Sequence, residues 1–169
     1  MSHREPTAAA IDPNAELNVY SQEPGYVVAL AGRCLIQIIS DRMTSTTISL
    51  TRRALADQAE RYDTFSFLCV LEPSAKLTMA PDLRESVDAY VRRYSTRFTG
   101  AAIVFEATGF QATVVRSVVT AVNLASRASH PTKVFDDVRA ACSWLGRLTP
   151  GEPTASRLFE LAAQLRKSR

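Results

Sequence analysis

Thr64-Phe65-Ser66-Phe67-Leu68-Cys69-Val70-Leu71 is an almost unbroken apolar run, closed by Glu72-Pro73. A strand with one solvated face alternates apolar and polar side chains, whereas a strand covered on both faces reads as this one does. The run therefore predicts a central strand in a sheet flanked by helices.

Upstream, from Thr46, the period changes. Ile48, Leu55, Ala59 and Tyr62 recur near helical spacing, while Arg52, Arg53, Asp57 and Glu60 fall mostly elsewhere, which predicts an amphipathic helix. Before it, Tyr26–Ala31 and Cys34–Ser40 are rich in β-formers and are split by Gly32-Arg33. Asn18–Ser21 adds a short first strand, followed by a Glu23-Pro24-Gly25 turn, so the chain opens as an antiparallel meander.

Downstream, Pro81 suits the first turn of a helix whose stripe is Leu83, Val87, Tyr90, Val91, Tyr94 and Phe98, with Gly100 closing it. Ala101–Glu106 is another short apolar strand. Gln111–Ser126 is valine-rich, but its valines repeat every three or four residues, and length and period predict a helix. His130-Pro131 stops it. Thr132–Phe135 reads as a brief edge strand, Asp136 as an N-cap, and Val138, Ala141, Cys142 and Leu145 as a last core helix ending before Gly146.

The pattern predicts an α/β fold: a mixed β-sheet, antiparallel at its start and continuing as parallel βαβ units, flanked by helices. Residues 1–16 read as a flexible leader and 17–148 as the domain. Residues 149–169 read as a linker and an amphipathic helix carrying Leu158, Leu161 and Leu165, for which docking on its own chain and on a partner are both open.

Bulk properties narrow the function. The net charge is +3, from 20 basic and 17 acidic residues scattered along 169, which gives no reason to expect nucleic acid. Cys34, Cys69 and Cys142 are far apart and read as reduced core thiols. The histidines are His3 and His130, so neither a metal nor a cofactor is expected. The leader lacks the apolar core of a signal peptide, and no window is apolar long enough to span a bilayer. The expectation is a soluble, cytoplasmic protein without membrane insertion.

Neither G-x-x-x-x-G-K-[ST], G-x-G-x-x-G nor a G-x-S-x-G elbow occurs. His130, the one histidine outside the leader, reads as a surface turn residue. Glu72 and Glu106 end two predicted strands, and one sheet edge can hold both. In open α/β sheets ligands bind outside that edge, although solvated strand ends are the simpler reading. Thr108-Gly109-Phe110-Gln111 leads into the N-terminus of the valine-rich helix, whose N–H groups favour an anion. Equally, Gly109 serves there only to supply a positive φ. Arg116, on the same helix, is left to find solvent or a partner.

The ending Lys133-Val134-Phe135-Asp136-Asp137-Val138-Arg139-Ala140-Ala141-Cys142-Ser143-Trp144-Leu145, together with the element order, resembles the SpoIIAA-like branch of the STAS family over roughly residues 18–148. The resemblance implies a non-catalytic domain that binds regulatory proteins, sometimes small ligands, and in some members is switched by phosphorylation of a serine after a central strand. The matching segment is Leu71-Glu72-Pro73-Ser74-Ala75-Lys76. Ser74 holds the serine position, Glu72 replaces the family's aspartate, and the serine–glycine segment that follows in the family is missing.

The leading expectation is a non-enzymatic regulatory or scaffolding module. It meets a protein partner through Ser74–Pro81 and Thr108–Arg116, with Glu72, Ser74, Lys76, Thr108, Gly109, Gln111 and Arg116 as contact residues and no catalytic residue. The alternative is a small-ligand cleft anchored by Glu72, Thr108, Gln111 and Arg116. An enzyme would need Glu72 and Glu106 to converge, with at least one of them buried. An edge strand and the tail helix also make a homodimer possible.

Overall fold

Six strands hydrogen-bond in the order in which they occur along the chain: β1 (Asn18–Glu23), β2 (Tyr26–Ala31), β3 (Cys34–Ile39), β4 (Phe65–Leu71), β5 (Phe98–Phe105) and β6 (Thr132–Phe135). The first two pairings are antiparallel, and β3 to β6 are mutually parallel. Helices among the described residues include α1 (Ser45–Arg61), α2 (Pro81–Tyr94), α3 (Val138–Leu148) and α4 (Ala155–Lys167). This is the expected mixed sheet, antiparallel and then parallel. The computed structural model describes residues 16–76, 78–106, 109, 113–117, 119–120 and 129–168. All of the expected leader but residue 16 lies outside them.

The apolar runs are continuous because both faces of the sheet are covered. On β2, Val27, Ala29 and Ala31 join a core with α3 and α4, while Tyr26, Val28 and Leu30 join the opposite core with α1 and α2. Successive strand residues point to opposite faces, so each face needs its own apolar set. Leu158, Leu161, Ala162 and Leu165 of the tail helix are buried in the first core. The tail helix thus docks on its own chain, and the core continues past Leu148.

Four local expectations are corrected. Helix α2 ends at Tyr94, and Phe98 opens β5, where its ring packs 5.2 Å from Phe65 and 5.9 Å from Phe67. Gly100 lies within β5: an added Cβ would sit 2.6 Å from Leu148 Cδ1 and 3.3 Å from the Trp144 ring, so it lets α3 approach the sheet. Gly146 lies within α3, where a Cβ would meet Ala155 at 3.0 Å. The α3 cap is Asp137 rather than Asp136, its carboxylate accepting from Ala140 N–H at 2.7 Å.

His130 is also not a surface residue. It is buried against Phe98, with ring centroids 4.8 Å apart, and its Nδ1–H donates to the Ser95 carbonyl at 3.2 Å. Burial lowers its pKa below the ordinary value, against the opposing pull of that hydrogen bond. The three cysteines are free and buried. Within the valine-rich segment, residues 113–117 and 119–120 are helical. Among the described residues no helix is long and apolar enough to cross a membrane.

Candidate functional site at the carboxyl edge of the sheet

Because β3 to β6 are parallel, their carboxyl ends share one edge. Ile39 pairs with Leu71, and Leu71 with Phe105. Glu72 and Glu106 each follow an in-register strand end, so the pairing that satisfies the backbone also brings two negative charges together. Two unscreened carboxylates at this spacing repel.

The last turn of α4 supplies the compensation. Arg166 Nε and Nη2 donate to Glu72 Oε1 and Oε2 at 2.8 and 3.0 Å, and Nη1 and Nη2 donate to Glu106 Oε1 and Oε2 at 3.1 and 2.6 Å. All four carboxylate oxygens thus accept from one guanidinium, a geometry that a planar fork of five N–H donors permits and an ammonium does not. The side chains are 14%, 30% and 27% exposed for Glu72, Glu106 and Arg166. Hydrogen bonds from Arg166 to Glu106 and Glu72 hold its pKa above the usual arginine value.

Ser74 is exposed after β4, and its hydroxyl donates to the Ser40 carbonyl at 2.7 Å. Lys76 pairs with Asp41 at 3.0 Å, and its N–H donates to the Asp41 carbonyl at 3.2 Å. The Lys76 ammonium holds the Asp41 carboxyl below the usual range. The loop after β4 is therefore pinned to the loop after β3. Gly109 has φ +77°, with nothing within 4 Å of an added Cβ, so it serves as the positive-φ residue of its turn. Arg116 is exposed on the helical stretch 113–117. Thr108 and Gln111 lie outside the described residues.

Beneath these loops is a cavity of about 100 Å³ lined by Ile39, Met43, Leu71, Ala75, Lys76, Thr78, Met79, Val115 and Val119. Its wall is mostly aliphatic and includes neither Glu72 nor Arg116. Among the described residues no group of acidic, cysteine or histidine side chains is arranged to hold a metal.

No family model, curated protein or solved structure matches the chain. Glu72 and Glu106 do converge, Glu72 is largely buried, and each of their four oxygens accepts one hydrogen bond from Arg166. Sequence reasoning missed Arg166 altogether. The available signal was a last-turn arginine on an amphipathic tail helix in a chain with two strand-end carboxylates.

Proposed function

We propose that the protein is a non-enzymatic, STAS-like regulatory or scaffolding module that engages a protein partner at the carboxyl edge of its sheet. The observation that carries this reading is the engagement of all four oxygens of Glu72 and Glu106 by Arg166. The carboxylates best placed for acid–base chemistry are committed to holding the tail helix. Among the described residues, Ser74, Lys76, Gly109 and Arg116 are exposed at this edge, part of a rim around the loops that suits recognition. The resemblance of Lys133–Leu145 to the STAS ending supports the same reading.

The test is native mass spectrometry of the protein isolated gently from its host, alongside Lys76→Glu and Arg116→Glu variants. A stoichiometric protein partner that is lost from both variants is expected. A partner retained by both variants, or a bare mass for the parent protein, counts against the edge as its interface.

A second reading rests on the cavity of about 100 Å³. That size suits a small apolar group, because dry apolar cavities of comparable volume take up apolar ligands. On this reading the ligand is held by Met43, Leu71, Met79 and Val115 rather than by polar anchors. A stoichiometric small molecule in the same spectrum would favour it.

A further inference from the structure

Arg52 and Arg53 on α1 and Arg92 and Arg93 on α2 are all exposed, and all line one groove of about 790 Å³ between the two helices. Among the described residues no aspartate or glutamate lines that groove. The ion pairs among the described residues join Lys76 to Asp41, Arg157 to Glu16 and Glu160, and Arg166 to Glu72 and Glu106. None of the four groove arginines enters an ion pair among the described residues.

Like charges gathered on two facing helices repel one another and create a positive potential that a bound anion relieves. The groove is also not purely polar. Tyr90 and Tyr94 are buried at its base, the Arg93 guanidinium lies 5.8 Å from the Tyr94 ring centroid, and Ala56 and Ala89 complete the lining. A fitting ligand therefore offers carboxylates to the arginines and an apolar side chain to the base. Arginine forks match carboxylates in bidentate fashion.

We infer that the α1–α2 groove docks a short acidic segment of a partner protein. Charge complementarity selects the sign of the ligand, and the surroundings select a short peptide over nucleic acid. Exposed Glu60 follows the arginine pair on α1, and exposed Asp82 and Glu85 precede the pair on α2. A duplex, with a phosphate charge every 1.7 Å or so along its axis, would run over these carboxylates. A peptide of a few residues need not reach them. The groove shares no lining residue with the cavity at the sheet edge, so this inference does not depend on the edge being an interface.

The experiment is fluorescence anisotropy of the full chain with a labelled synthetic peptide of glutamates interspersed with leucines. The comparison probes are the same peptide with glutamine for glutamate and a labelled DNA duplex of similar length. The glutamate peptide is expected to bind, and to weaken with added salt. Its affinity is expected to fall by about tenfold or more in Arg52→Glu/Arg92→Glu, less steeply in Arg52→Gln/Arg92→Gln, and not in the surface control Arg147→Glu. Thermal melts establish that each variant is folded. Binding that is unchanged in both groove variants, absent at low salt, or weaker than that of the duplex overturns the inference.

Discussion

Arg166 donates two parallel hydrogen bonds to Glu72, at 2.8 and 3.0 Å, and so ties the last turn of α4 to the carboxyl end of β4. The contact spans most of the domain in sequence and converts a potential reactive group into a fastening. Removing the arginine takes away the guanidinium that Glu72, only 14% exposed, shares with Glu106. Arg166→Leu is therefore expected to cost about 2–3 kcal/mol, toward the low end for a broken buried pair because the cluster is partly solvated. Glu106→Gln, at the more exposed partner, is expected to cost about 0.5–1 kcal/mol. Denaturant unfolding checks both, and equal losses would contradict the difference in burial.

A buried polar network on the opposite face supports a second prediction. Gln37, 2% exposed on β3, donates to Tyr26 Oη at 3.2 Å and to Thr51 Oγ1 at 3.1 Å, and Thr51 in turn donates to the Thr47 carbonyl at 2.9 Å. Burial pushes the Tyr26 hydroxyl up to about 12, so it stays protonated and able to donate. Gln37→Ala opens a void and removes a partner from both hydroxyls, and about 2–4 kcal/mol of lost stability is expected. Gln37→Met fills the space and should cost roughly half as much. Chemical denaturation of the two variants reads the difference directly.

His130 makes stability depend on pH. Its folded-state pKa lies below the ordinary 6.5, so the unfolded chain binds a proton that the folded one resists. Stability from this residue is complete above about pH 6.5 and falls as the pH drops through the window beneath it. His130→Gln is expected to flatten that part of the profile measured by urea unfolding. A profile of unchanged slope would assign the pH dependence to other groups.

The fold was legible wherever burial on both faces wrote itself into composition, as in Thr64–Leu71 and in the paired runs 26–31 and 34–40. Boundaries were less legible where one residue type serves two geometries. Phe98 continues the apolar stripe of α2 by spacing, yet it opens β5, because Phe65 and Phe67 offer it a packing site that sequence spacing does not reveal. Gly100 and Gly146 read as helix stops, but both mark close approaches, to α3 and to Ala155. At the site, Glu72 and Glu106 were recognisable as neighbours from strand ends alone. Their partner was not, because Arg166 lies 60 or more residues away along the chain and reaches them only once α4 has docked.

That reading of Gly100 is testable. Gly100→Ala places a methyl 2.6 Å from Leu148 Cδ1, the far end of a flexible side chain, so the leucine can turn aside and about 1 kcal/mol is expected to be lost. Gly100→Val also presses on the Trp144 ring, which already packs 5.6 Å from Phe135. A loss of about 2–3 kcal/mol, with a change in tryptophan fluorescence that is absent in the alanine variant, is the expected pair of results.

The Ser74 hydroxyl donates to the Ser40 carbonyl while Lys76, two residues on, is tied to Asp41. These contacts pin one loop to another at the exposed edge without entering either core. Ser74→Asp removes the donor, sets a carboxylate against a carbonyl oxygen and adds charge close in sequence to Glu72. A phosphoryl group there would do the same with up to two charges. Because Ser74 is exposed, solvent can satisfy the Ser40 carbonyl, and the expected loss of global stability is below about 1 kcal/mol. The change should instead be local. Hydrogen exchange is expected to quicken at the amides of Glu72 and Ala75, and at that of Lys76, which donates to Asp41, while the amides of β4 keep their protection. If β4 loses protection as well, the edge loop is part of the cooperative core, and a modification at Ser74 would unfold the domain rather than alter the surface it presents.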